Sequence, residues 1–243
     1  MSVRQKVSAA PAWLLHSLPW RETSLIVEVF TRDYGKIALA AKGARRPTSA
    51  LRGVLMAFQP LILDWSGSGE VKNLLRAEWR GGQPLLQGHA LLCAYYLNEL
   101  ILRLTAREDA HQALFDVYAT TMMALARGEN LPVLLRRFEL ALLRELGYAV
   151  MLDADISGRP LQPETRYLYI IEHGPRPCGV GRDDRHDDGI AIGGQSLLDL
   201  GAGDFSRGAT LVEAKRLLRV LINHTLGGQI LHSRRVFEEL QEL

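Results

Sequence analysis

The sequence predicts an α+β protein: a small N-terminal β-barrel, then an α-helical bundle with a small irregular, partly β insertion. Three observations predict it. Apolar residues alternate with a period of two through much of the first 80 residues. Beyond Pro84 they recur every three to four residues. Between residues 151 and 194 neither period holds, and Gly and Pro accumulate. The predicted organisation is residues 1–80 as the barrel and 81–243 as the helical part. The latter divides into helices over 81–150, the irregular segment over 151–194, and helices again over 195–243.

Trp13 to Ser17 is an opening strand. Ser24 to Thr31 places Leu25, Val27 and Val29 on one face, and Lys36 to Ala41 does the same with Ile37, Leu39 and Ala41. Arg32-Asp33-Tyr34-Gly35 turns between them, so this pair is a hairpin. Pro60 to Trp65 and Val71 to Trp79 flank Ser66-Gly67-Ser68-Gly69, a strong turn signal. Short strands at this spacing close most simply into a barrel, which removes open edges.

Gly81-Gly82-Gln83-Pro84 breaks the pattern. Leu92, Tyr96, Leu100 and Leu104, with Cys93, Leu97 and Ile101 beside them, make the broad apolar stripe of a central helix. Leu114, Val117, Tyr118, Thr121 and Leu125 mark a second helix, ended near Gly128. Leu135, Phe138, Leu142 and Leu146 mark a third, with Asn130 as its cap, Pro132 in its first turn and Gly147 after its end. Short strands are expected at Tyr167–Glu172 and Gly189–Ile192. Thr210 and Glu213 have the spacing of a capping box ahead of a helix through Leu211, Ala214, Leu218 and Leu221. Ser233 to Leu240 is a last helix with Val236, Phe237 and Leu240 inward.

With 243 residues, 47% apolar and 23% charged, the chain is an ordinary globular one of one or two domains. No apolar run reaches the ~18 residues of a membrane helix. The N-terminus is a poor signal peptide, broken by Pro11, His16 and Pro19. Cys93 and Cys178 exclude a disulfide framework and fit a reducing cytoplasm.

Charge is distributed unevenly. Residues 1–80 hold 12 Lys/Arg against 6 Asp/Glu, and residues 81–243 hold 17 against 21. Lys42, Arg45, Arg46 and Arg52 cluster in a loop leaving a strand. Lys72 and Arg76, four apart on a later strand, share a face. Such a set suits phosphate contact without base reading. Tyr34, Phe58 and Trp65 are aromatics near turns that either stack on bases or fill the barrel core. A barrel with a basic rim is the OB type of nucleic-acid binder. In the helical part, Arg136 and Arg137 adjoin an apolar stripe, and Lys215, Arg216 and Arg219 share one side of a helix. Arg136 either pairs with Glu139 or seizes a carboxylate beside an apolar anchor.

Enzyme signatures are missing. There is no Walker-type phosphate loop, no dinucleotide-binding glycine pattern after a strand and no nucleophile elbow. Asp153 and Asp155, and the run Asp183 to Asp188, could attract a cation for nuclease or phosphatase chemistry, but they read as turn and hairpin-tip residues. His173, Cys178 and His186 are too few and too poorly spaced for structural zinc, which wants four ligands. No metal site and no cofactor are expected.

The chain resembles the bacterial recombination mediator family RecO. The resemblance rests on Leu15-His16-Ser17, Trp20-x-Glu22-Thr23-Ser24-Leu25, Val29-Phe30-Thr31 and Ala41-Lys42-Gly43-Ala44-Arg45. It continues in Gly69-Glu70-Val71-Lys72 and Tyr96-x-Asn98-Glu99-Leu100, and most specifically in Leu135 to Leu143 with Leu146-Gly147-Tyr148. Ala214-Lys215-Arg216, Leu226-Gly227-Gly228 and Ser233-Arg234 close it. Together these span nearly the whole length.

The resemblance implies an OB barrel, a helical bundle and a module that in some members binds zinc through four cysteines. Only Cys178 remains here, with Asp153 and Asp155 near where cysteines would stand. It also implies a cytoplasmic, nucleoid-associated protein that is not an enzyme. Such a protein binds single- and double-stranded DNA, anneals complementary strands, binds the C-terminal tail of the single-stranded-DNA-binding protein SSB, and with RecR helps load RecA. The expected DNA-binding residues are Lys42, Arg45, Arg46, Arg52, Lys72 and Arg76. Those for the SSB tail are Arg136, Lys215 and Arg219. The rival reading is a generic OB-fold RNA-binding module without annealing activity.

Overall fold

The computed structural model describes residues 6–148, 150–179 and 189–241, with side chains in the last helix described as far as Val236. The first part of the chain forms β1 (Lys6–Trp20), β2 (Ser24–Thr31), β3 (Gly35–Ala41), α1 (Leu51–Val54), β4 (Pro60–Ser66), β5 (Val71–Trp79), α2 (Gly88–Leu104) and α3 (Gln112–Ala126). Then follow α4 (Leu131–Glu145), β6 (Arg166–Ile170), β7 (Gly174–Pro177), β8 (Ile190–Gly193), α5 (Gly194–Ala202), α6 (Gly208–Thr225) and α7 (His232–Gln241). Residues 1–129 with 231–243 form one compact unit, and residues 130–230 a second. Residue 80, the boundary expected from the sequence, follows the last residue of β5.

In the first unit, five strands close in the order β1-β2-β3-β5-β4. β1 is 15 residues long and extends beyond the expected Trp13–Ser17 on both sides. Its halves serve different partners. Residues from Lys6 to Trp13 pair with β4, and residues from Ala12 to Trp20 pair with β2. Register shifts between Val7 and Ala10 and between Leu14 and His16 bend the strand, and Ala9 adopts a left-handed φ of 57°. These bends interrupt the alternation that sequence patterning relies on.

The β2–β3 hairpin forms as expected. Gly35 has a φ of +63°, and a Cβ there would stand 1.9 Å from the Asp109 carbonyl oxygen. β4 and β5 pair antiparallel as expected, and β3 pairs parallel with β5 through Ala38–Ala40 and Val71–Asn73 to complete the closure. The core holds Val27, Val29, Ile37, Leu39, Leu61, Leu63 and Trp65, with Leu51, Val54 and Leu55 packed on it from α1 and the residue after it. Phe30 faces the other way on β2 and meets Phe115 and Tyr118 of α3 at centroid distances of 5.4 and 6.0 Å.

Polar contacts join barrel and helices within this unit. Leu15 is skipped by the β1–β2 pairing at the bulge, and its carbonyl is met from α2. Buried Asn98 of α2 donates to Leu15 O at 2.9 Å and accepts from the Tyr118 hydroxyl at 2.5 Å. Lys36 Nζ donates to the carbonyls of Leu102 and Thr105 at 2.5 and 2.7 Å. Burial lowers the pKa of that ammonium. Glu99 of α2 accepts from the backbone N–H groups of His232 and Ser233 and from the Ser233 hydroxyl, satisfying free donors at the start of α7. Burial raises the Glu99 pKa, but those bonds outweigh it and hold the carboxyl below its ordinary range. Val236 is exposed rather than inward, because the polar face of α7 is the one met by Glu99 and Tyr96. The side chains of Phe237 and Leu240 lie outside the described residues.

In the second unit, Asn130 caps α4 as expected, its side chain accepting from the Val133 N–H at 3.3 Å. The buried stripe runs through Leu134, Phe138 and Leu142, so Leu134 takes the place expected for Leu135. The small sheet has the order β7-β6-β8. β7 is Gly-Pro-Arg-Pro, which has no strand signal; its prolines are tolerated because it is an edge strand. The capping box expected at Thr210 and Glu213 does not form. α6 starts earlier, at Gly208, so Thr210 lies inside the first turn. Its hydroxyl donates to buried Asp199 at 2.5 Å, and Glu213 accepts from the Gly193 N–H at 3.0 Å.

Candidate nucleic-acid interface

Strand register places the basic loop. Leu25 of β2 stands opposite Ala41 of β3, so Lys42 to Arg52 leaves the barrel at the end where the β1–β2 turn lies. Consecutive turns build the loop. Gly43 N–H donates to the Ser24 hydroxyl, Arg46 N–H to Gly43 O, and Arg52 N–H to Ser49 O. Arg45 ties it to the neighbouring turn: its N–H donates to Thr23 O at 2.8 Å and its guanidinium to Glu22 O at 3.3 Å. Lys42, Arg46 and Arg52 are exposed and Arg45 is at the surface. The loop therefore presents four cations on a backbone pinned at both ends.

Lys72 and Arg76 do not share a face. A bulge in β5 sets Leu74 and Arg76 opposite the consecutive residues Trp65 and Asp64 of β4. The alternation reverses there, so Leu74 and Ala77 both pack on the barrel core. Lys72 is 5% exposed and ion-paired with Glu108. This overturns its expected role as an exposed phosphate contact. Arg76 is exposed and pairs with Glu78. The aromatics are also sorted by tertiary packing. Trp65 is a core residue, 5.2 Å from Tyr34 edge-to-face, and Phe58 is buried against Tyr95 at 4.9 Å. Neither Trp65 nor Phe58 can stack on a base. The exposed indole of Trp79 is not among the aromatics expected from sequence; it shares the face of core-packed Ala77 but is exposed at the last position of β5.

In the second unit, α4 packs on α6. Arg136 is 8% exposed, and its guanidinium donates to Glu139 at 2.7 Å. The pair is buried, not a surface one. Its Nε is buried without a hydrogen-bond partner. Lys215 and Arg219 are exposed one turn apart on α6, with Arg216 beside them.

In the insertion, the Asp155 carboxylate is engaged locally. Asp155 is 3% exposed, and its carboxylate accepts from the N–H groups of Ser157 at 2.8 Å and Arg159 at 3.0 Å, and from the Arg159 guanidinium at 3.2 Å. Burial pushes its pKa up, but the Arg159 and Ser157 bonds outweigh that and hold it below the usual carboxylate range. Its oxygens are thus committed to a local turn. Asp153 is exposed, Cys178 half-buried, and His173 Nδ1 lies 3.0 Å from Ile171 O. Among the described residues no group of three or more His, Cys, Asp or Glu could hold a metal ion. His186 and the run Asp183–Asp188 lie outside the described residues. No helix among the described residues is long and apolar enough to cross a membrane.

The sequence matches the family "Recombination protein O N terminal" over residues 6–82 and "Recombination protein O C terminal" over residues 85–235. The chain belongs to the RecO family. It is 62% identical to the DNA repair protein RecO of Aromatoleum aromaticum and 60% identical to that of Azoarcus sp., over the full length of both chains in each case. It is 52% identical to that of Dechloromonas aromatica, again over the full length of both. Membership in the RecO family supports a function in DNA repair and recombination, and the barrel is the family's OB-type N-terminal domain.

Proposed function

We propose that this chain is a non-enzymatic recombination mediator of the cytoplasm and nucleoid. It binds single- and double-stranded DNA, anneals complementary strands, engages the C-terminal tail of SSB, and with RecR helps load RecA onto SSB-covered single strands. The observation that carries the reading is the pinned loop with its four surface cations, Lys42, Arg45, Arg46 and Arg52, at one end of an OB-type barrel. Phosphates answer such a set without regard to sequence. Arg76 extends it along β5.

Annealing of labelled complementary strands at several salt concentrations tests this. Replacing the four loop cations by alanine is expected to weaken binding on every sequence alike. The salt slope on single strands should flatten by about 0.7 for each phosphate no longer neutralised. Lys72→Met, which removes a buried charge, should leave the slope unchanged. An unchanged slope in the folded quadruple variant, or no annealing by the unaltered protein, would overturn the reading.

For the SSB tail, Arg136 is the carboxylate partner and Lys215 and Arg219 attract the acidic residues that precede it. Docking then requires the tail carboxylate to displace Glu139 from Arg136. Arg136→Ala is expected to weaken a labelled tail peptide about ten- to hundredfold, the span typical of a charged hydrogen-bond partner. Direct DNA binding should survive. Equal peptide affinities would remove Arg136 from the site.

A further inference from the structure

The chain has four tryptophans. Trp13 and Trp65 are buried. Trp79 is 55% exposed, yet it is held: its indole N–H donates to Gln59 Oε1 at 3.1 Å, and Gln59 is itself buried. Its one polar atom is thereby fixed while much of the ring meets water. Trp20 is half-buried, and the Arg21 guanidinium lies over its ring at 4.2 Å from the centroid. Arg21 holds that position from a left-handed φ of 54°, which disfavours any residue with a Cβ. A single exposed indole needs no explanation. Two that are locally braced beside a basic loop require one.

Strand register sets both at the same end of the barrel. Trp20 stands opposite Ser24 at the β1–β2 turn, and Leu25 stands opposite Ala41, from which the basic loop departs. β5 runs parallel to β3 from Asn73, the partner of Ala40, and continues beyond it to Trp79. Arg45 is bonded to the β1–β2 turn on one side of the loop, and α1 packs against β5 on the other. The order round the rim is therefore Trp20, the basic loop, Trp79.

We propose that Trp20 and Trp79 are base-stacking platforms for single-stranded DNA, one on each side of the loop that takes the phosphates. This rests on the nucleic-acid reading above and adds to it the groups that distinguish single strands from duplex. Every base has a π-face, so stacking is sequence-tolerant; bases inside a duplex are already stacked and cannot use these rings. A base would stack on the exposed part of the Trp20 ring, beside or in place of the Arg21 guanidinium. Arg21 and Arg80 adjoin the two tryptophans in sequence and Lys42, Arg45, Arg46 and Arg52 lie on the loop between them, outnumbering the neighbouring Glu22 and Glu78, an excess that suits a polyanion.

The test titrates an oligo-dT strand and a duplex of equal length into the full chain and into Trp20→Ala, Trp79→Ala, Trp20→Phe and Trp79→Phe. The unaltered protein should show quenched tryptophan fluorescence on binding oligo-dT. Each alanine variant should bind the single strand roughly 5- to 150-fold more weakly, the span expected for one stacked base. The phenylalanine variants should recover most of that affinity. Duplex affinity should change less than about twofold, and the salt slope should stay that of the unaltered protein, because stacking releases no counterions. Unquenched fluorescence with unchanged affinities would overturn the inference. So would equal weakening on single strand and duplex, which would give the rings a structural role or a protein partner. An unaltered protein that does not bind oligo-dT would overturn the nucleic-acid reading itself. Should an alanine variant fail to fold, quenching in the unaltered protein and the phenylalanine pair still decide the matter.

Discussion

Asn98 offers a direct test of how the barrel is joined to its helices. The side chain is 2% exposed, so water cannot replace its partners. It donates to Leu15 O at 2.9 Å and accepts from the Tyr118 hydroxyl at 2.5 Å; its 3.5 Å approach to Leu14 O adds little. Asn98→Ala removes one partner from each of two buried groups, a strand carbonyl at the β1 bulge and a phenol whose pKa is raised by complete burial. An unsatisfied buried polar group costs about 1–3 kcal/mol, and the Leu15 carbonyl alone loses its donor from Asn98, so the expected destabilisation is at least about 1–3 kcal/mol. Tyr118→Phe should cost less, since the ring and its edge contact with Trp13 at 5.5 Å remain. The double variant should cost less than the sum, because either single change already removes the hydrogen bond that the two side chains share. Urea denaturation followed by circular dichroism measures all three. A change below about 0.5 kcal/mol for Asn98→Ala, with an unchanged denaturant slope, would refute the reasoning.

Two further outcomes follow from local geometry. Gly35→Ala places a Cβ against the Asp109 carbonyl at a left-handed φ, and should destabilise the fold by at least about 2 kcal/mol in the same denaturation assay. Asp155 has a depressed pKa in the folded chain, so its contribution is present above the ordinary carboxylate range, ~3.9, and is lost as pH falls through the folded value. Amide exchange at Ser157 and Arg159 should accelerate in that acid window, and Asp155→Asn should exchange faster at neutral pH with no such acid step.

The β2–β3 and β4–β5 hairpins, the principal helices and the position of the basic loop are all legible in the residues alone. Each is written in local terms: a period of two or of 3.6, a Gly at a turn, an Asn before a helix. The RecO resemblance is likewise spread over residues that can be read one by one. Which charges and rings face water is not written that way. One bulge in β5 reverses the alternation after Leu74, burying Lys72 while leaving Arg76 exposed, and no residue in that strand announces it. Trp79 shares the face of core-packed Ala77 after that bulge, yet it is exposed because it ends the strand, while Trp65 of β4 fills the core. Thr210 keeps the spacing of a capping box but commits its hydroxyl to Asp199, because α6 begins earlier than its composition suggests. Arg136 and Glu139 sit three apart, as a surface pair would, and are buried instead. Backbone hydrogen bonding and apolar periodicity act between near neighbours, so a sequence displays them. Burial is a property of what other segments cover, and it is settled only when the distant strands and helices meet.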